Sequence, residues 1–208
     1  MVDNVYAELA SLFPGFKLDK NEGGFVRGIS TGTQKLLVPF VDLHPRYTFS
    51  LLCCVRLDEV EDICNHFNPA PHKYHSMTLT STTPLSYFRP EGEYNFTSIE
   101  SLKEATADLA TLAKDILDFM DQHQDKFALY QAMKSEGPSF DISVDPGRAM
   151  RVVTLARLCG DPDFRVVLAQ QEASASGWHE EGRRRFQALM AYLERIRKVS
   201  SPDFSAFS

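Results

Sequence analysis

The sequence predicts an α+β fold: a small antiparallel sheet of about four strands with an N-terminal and a capping helix, followed by an all-helical half. Three observations predict it. Three strand-like segments, "GGFVRGIS", "KLLVPFVDL" and "YTFSLLCCVRL", follow one another across connections too short for anything but antiparallel pairing. The apolar period then switches from two to three or four. From residue 97 onward every periodic segment is helical, so helices and strands are segregated rather than alternating.

Taken in order, residues 3–12 place Val5, Leu9 and Leu12 on one helical face, and Pro14-Gly15 ends that helix. The three strands are separated by "TGTQ" and "HPR", which read as turns. Pro39 lies inside the second strand and predicts an edge position or a bulge, because proline has no N–H for the ladder. "RLDEVEDICNHF" puts Leu57, Val60, Ile63, Cys64 and Phe67 on one helix face. "HSMTLTS" alternates and predicts a fourth strand, and the aromatic loop "PLSYFRPEGEYNF" has room for another short one. Thr97 with Glu100 has the spacing of a capping box, ahead of a long helix to about residue 124. A shorter helix with Phe127, Tyr130 and Met133 stops at Gly137-Pro138. "GRAMRVVTLARLC" is helical to Gly160, "DPDF" restarts a helix with Asp161 as N-cap and Pro162 at the first position, and a last helix spans roughly 178–199.

A soft boundary at "EGPSFDISVDPG" divides an α+β domain, 1–136, from a helical subdomain, 147–199, packed on it, with a flexible tail at 200–208. With 208 residues the chain can bury a sizeable core, and 43% hydrophobic with 24% charged residues is a globular composition. A formal charge of -6 argues against nucleic-acid binding, which needs a basic footprint. No apolar window approaches membrane-spanning length, and "MVDNVYAELASLFPGF" lacks the basic start of a signal peptide, so a cytoplasmic protein is expected. Cys53, Cys54, Cys64 and Cys159 form no CxxC pair and read as reduced thiols.

"CNHFNPAPHKYH", residues 64–75, has the letters of a metal site. A zinc site needs three or four ligands converging on one point. On a helix Cys64 and His66 point about 200° apart, so they cannot share an ion. Cys64 turns to the apolar face and His66 to the polar one. His72 and His75 remain as a loop pair at a strand start, open to a metal or catalytic role only with a remote carboxylate. Asp42 and His44 in "VDLHPRY" share strand parity and could form an acid–base pair at a strand end; a polar hairpin end is the plainer reading. Phosphate-binding glycine loops, GxSxG and HExxH are absent. No metal and no cofactor are expected.

Charge is distributed unevenly. Residues 91–125 hold nine acids against Lys103 and Lys114, whereas 147–199 hold ten Lys or Arg against six acids. Asp108, Asp115, Asp118, Asp121 and Asp125 descend the long helix, mostly at spacings of three and four, where like charges repel by a few tenths of a kcal/mol per pair. Three arrangements account for this run: a solvated face, docking on the Arg-rich "EEGRRRF" of the last helix, or a negative strip offered to a basic protein partner.

The helix ending in "LFPGFKLDKNEGGFVRG", the edge strand "QKLLVPFVDL" and the strand "YTFSLLCCVRL" with its capping helix resemble, over about residues 3–124, a family of bacterial α+β domains. The resemblance rests on element order and on Gly15, Phe16 and Phe25. Some members of that family lie near polymorphic toxin genes, which implies an immunity-type or accessory role and supplies no catalytic residues. Two functional readings follow: a non-enzymatic cytoplasmic binding protein, monomer or homodimer, that uses the acidic strip; or a hydrolase-like enzyme with a site built on Asp42, His44, His72 or His75. The C-terminal helices could also pair with a second copy.

Overall fold

The computed structural model describes residues 1–196, and among these it is α+β with two antiparallel sheets and a helical C-terminal half. Helix α1 (Val2–Leu9) buries Val5, Tyr6 and Leu9, and Tyr6 meets Phe25 edge-on at 6.0 Å. Strands β1 (Lys17–Asp19), β2 (Gly24–Ile29), β3 (Gly32–Leu37), β6 (Leu52–Leu57) and β7 (Ser81–Pro84) form a five-stranded sheet in that spatial order. Strands β4 (Phe40–Leu43), β5 (Arg46–Phe49) and β8 (Tyr94–Phe96) form a second sheet of three. The sequence reading of about four strands thus corresponds to eight, in two sheets.

The two sheets share one ribbon. Leu37 faces Leu52 and Phe40 faces Phe49, so the register runs from β3–β6 into β4–β5 with no inserted residue. Between them Ser50 N–H donates to the Pro39 carbonyl at 3.1 Å, and Pro39 has no N–H to return the bond. The ladder loses a rung, and the ribbon leaves one sheet for the other. The disturbance expected at Pro39 is present, as a missing rung at a sheet junction rather than a bulge. Beyond it, Phe40, Tyr47, Phe49, Tyr94 and Phe96 form an aromatic cluster of stacked, tilted and edge-on pairs with ring centroids 5.2–6.5 Å apart.

Helix α2 (Asp58–His66) follows β6 without a loop, and its first N–H, of Asp58, donates to the Thr31 carbonyl. Cys64 is buried and His66 exposed, as the helical period required. Residues 72–77 are a 3-10 turn, not the start of a strand; β7 begins only at Ser81. Helix α3 (Ile99–Gln122) starts one residue later than the capping-box reading: Ser98 is the N-cap, and Ser98 and Ser101 close the box reciprocally with serine in place of glutamate. Helix α4 (Lys126–Glu136) is capped by Asp125, which accepts from the N–H groups of Phe127 and Ala128.

Helix α5 (Gly147–Leu158) is buried on most of its circumference, with Ala149, Met150, Val152, Val153, Leu155, Ala156 and Leu158 inside, as suits a helix surrounded by others. It touches α2, α4, α6 (Phe164–Ser174) and α7 (Glu180–Arg195). The N-cap of α6 is Asp163 rather than Asp161; the Asp161 carboxylate instead accepts from Asp163 N–H at 2.7 Å and, buried, from the Tyr130 hydroxyl and Lys134 Nζ. Residues 197–199, expected to end the last helix, and the tail at 200–208 lie outside the described residues. One contiguous apolar cluster runs from Val5 through Leu155 to Leu193, so the helices after residue 147 share a core with the sheets. No described helix is long and apolar enough to cross a membrane.

Candidate functional site

The five aspartates of the strip meet different fates. Asp125 is the α4 N-cap. Asp121 pairs with Arg27 of β2 and accepts from Gln124, which holds the end of α3 against the sheet. Asp118 pairs with Lys114 one turn before it. Asp115 is exposed, with no hydrogen bond or ion pair among the described residues. Asp108 lies in a cleft. No described ion pair joins α3 to α7; Arg184 pairs with Glu181 of its own helix, while Arg183 and Arg185 donate to the carbonyls of Trp178 and Phe67.

The cleft that holds Asp108 has a volume of about 650 Å³ and lies between β8 and the first three turns of α3. Glu91, Glu93, Glu104 and Asp108 supply four carboxylates to its wall. Arg89 sits among them: its Nε donates to Glu91 Oε2 at 3.1 Å, its Nη1 lies 3.5 Å from Asp108 Oδ2, and its guanidinium carbon is 4.3 Å from the Tyr94 ring centroid. The Tyr94 hydroxyl donates to Asp108 Oδ2 at 2.9 Å. Burial, and then that hydrogen bond to a carboxylate, push the hydroxyl up to about 12. Glu93 accepts from Asn95 at 3.3 Å, whereas Glu104 is exposed and unbonded among the described residues. Local structure explains the convergence. The loop after β7 carries Arg89 and Glu91 to the start of β8, and the serine box at Ser98 then turns the chain so that Ser101, Glu104 and Asp108 follow at helical spacing along one edge. One positive group stands among four negative ones. What the cleft offers a ligand is carboxylate oxygen and an aromatic edge, suited to ammonium or guanidinium.

The histidine-centred alternative is arranged otherwise. At the tip of β4–β5, Asp42 Oδ1 accepts from the backbone N–H of His44 at 3.2 Å, while the His44 ring bonds the Tyr47 hydroxyl at 3.0 Å. The carboxylate grips the turn and not the imidazole. His72 and His75 do meet, with ring centroids 4.7 Å apart, and His75 Nε2 donates to the Ala70 carbonyl at 2.9 Å. Their 3-10 turn is held by Arg56 Nη1 and Asn65 Nδ2, both donating to the His75 carbonyl. No carboxylate of a described residue bonds either ring. Among the described residues no group of three or more His, Cys, Asp or Glu is placed to hold a metal ion.

Sequence reasoning missed Arg89, Glu91, Glu93, Glu104 and Tyr94 as members of a site. A signal existed: the acidic run begins at Glu91, and Arg89 stands just ahead of it in the aromatic loop. Comparison with protein-family models, with curated proteins and with solved structures returned no match.

Proposed function

We propose that the chain is a non-enzymatic protein-binding domain whose acidic cleft between β8 and α3 receives a basic segment of a partner. One observation carries this reading: Glu91, Glu93, Glu104 and Asp108 surround a single arginine in one open cleft, so the wall keeps a surplus of negative charge next to the exposed Asp115 further along α3. The chain's own Arg89, lying on Tyr94 and against Asp108, is an internal example of the chemistry the cleft accepts. Surface charge of this kind speeds encounter and selects the partner's sign more than it adds affinity. An immunity-type inhibitor of a basic effector is the form of this reading that the family resemblance implies.

The test uses the full chain and a fluorescent lysine- and arginine-rich peptide, with anisotropy read at stepped salt. Exposed charges are screened beyond about 10 Å at 0.1 M ionic strength, so binding should fall steeply as salt rises. Charge reversal by Glu93→Lys together with Glu104→Lys should weaken it by about tenfold or more, which corresponds to about 1.4 kcal/mol. Binding that is flat with salt, or unchanged by the double reversal, overturns the assignment.

A further inference from the structure

We propose that the cleft between the C-terminal end of α2 and the first half of α7 is an oxyanion site, in which the Arg185 guanidinium holds a carboxylate or phosphate carried on a flat apolar body. The cleft has a volume of about 420 Å³, and its wall includes His66, Phe67, Arg184, Arg185 and Ala188 together with one acid, Glu181.

The geometry starts with how Arg185 is held. Its Nε donates to the Phe67 carbonyl at 2.8 Å, the residue that closes α2. That bond fixes the guanidinium plane against the helix end and leaves the two terminal nitrogens to bind. A paired, planar donor edge matches two oxygens of a carboxylate or phosphate, which a lysine ammonium cannot do. No carboxylate among the described residues pairs with Arg185; Glu181, one turn earlier, bonds Arg184 at 2.7 Å. A partly desolvated cation without an anion is an unfavourable arrangement that an incoming anion relieves. Its environment agrees. Burial, partly offset by Glu181 and Cys64, and then the neighbouring Arg151 hold Arg185 below the ordinary arginine value.

The body of the ligand follows from the walls. His66 and Phe67 of the wall meet edge-on at 5.0 Å; Tyr192 of α7, outside the lining, packs on both, at 6.3 Å from His66 and 5.7 Å from Phe67. An aromatic wall beside a guanidinium suits an anion attached to a ring. The sequence charge agrees in sign: residues 147–199 are net basic although the chain is acidic. This site is independent of the acidic cleft and takes a ligand of opposite charge.

The test is a titration of the uniformly nitrogen-15-labelled full chain with benzoate and, separately, phenyl phosphate, read by NMR against sodium chloride of equal ionic strength. The expected result is a saturable shift of the Arg185 Nε–H and of the Phe67, Asn68 and Ala188 amides with at least one probe. The tighter probe tells which oxyanion the cleft prefers. Arg185→Lys, which keeps the charge and loses the fork, should weaken binding by about tenfold. Glu181→Gln, which removes the competing acid, should tighten it. Shifts with both probes that are linear and equal to those of sodium chloride overturn the proposal, as does an R185K chain that titrates like the parent. Should R185K not fold, E181Q decides, and an affinity unchanged by it overturns the proposal.

Discussion

Arg151 of α5 grips Glu61 of α2 through two contacts, Nε to Oε1 at 2.8 Å and a second nitrogen to Oε2 at 3.3 Å, and Glu61 is fully buried. Thr80 Oγ1 donates to the same Oε1 at 3.0 Å while accepting from the Leu57 N–H. Two halves of the chain, 90 residues apart, thus meet in a satisfied polar knot. Removing one partner strands the other in the core. Glu61→Ala should cost about 3–5 kcal/mol in urea unfolding, whereas Glu61→Leu combined with Arg151→Met should recover most of that loss. Equal losses for the single and double variants would show that the pair is not what holds the helices together.

Two glycines of β2 give opposite forecasts. A Cβ on Gly24 would lie 2.1 Å from the Leu36 carbonyl oxygen, inside the β2–β3 ladder, whereas one on Gly28 meets nothing within 4 Å. Gly24→Ala should therefore destabilise by more than about 2 kcal/mol, and Gly28→Ala should stay within about 1 kcal/mol of the parent. Denaturant midpoints at an unchanged m-value are the measurement.

All four cysteines are buried and free. Burial pushes the Cys54 and Cys64 thiols up to about 12 and raises Cys53 and Cys159 as well. The thiolate is the reactive form, so a thiol reagent at pH 8 should label none of them in the native protein and all four in denaturant. The same shifts set a pH dependence. A thiol whose pKa is raised by folding stabilises the fold fully below its unfolded value of 9.0, and that contribution is lost as pH climbs towards 12. Stability should therefore decline above about pH 9, by about 1.4 kcal/mol per pH unit for each deeply buried thiol. Cys54→Ala with Cys64→Ala should flatten that decline.

The aspartates of the acidic run along α3 and into α4 should separate by role. Asp125→Ala removes two cap bonds and should cost about 1 kcal/mol, within the usual range for a lost N-cap. Asp115→Asn breaks no bond and relieves repulsion along the helix, so it should be neutral or stabilising by a few tenths of a kcal/mol. Thermal unfolding read by circular dichroism distinguishes the two.

The helices were the most legible part of this fold, because apolar spacing is a local property. The long helix expected from 97 to about 124 is Ile99–Gln122, and the turn at Gly137 is where the next one stops. The strand expected over residues 75–81 is absent before Ser81 for an equally local reason. "HSMTLTS" alternates like a strand, yet strands need an open ladder, and there Arg56 and Asn65 take the carbonyl of His75 and the side chain of Thr78. That the β3–β6 ribbon would feed two sheets depended on the partner β8, some forty residues further on.

The candidate site divides along the same line. By itself the sequence determined the charge asymmetry, the helical face that carries Asp108, Asp115 and Asp118, and the inward turn of Cys64. Only the tertiary structure decided that Asp121 ties α3 to the sheet, that Asp108 joins Glu91 and Glu93 beside Arg89, and that Arg185 is bonded to the end of α2 while Glu181 pairs with Arg184 instead. The physical reason is that a charge is free or neutralised according to what lies within a few ångströms in space, and spacing along the chain constrains those distances only within one element.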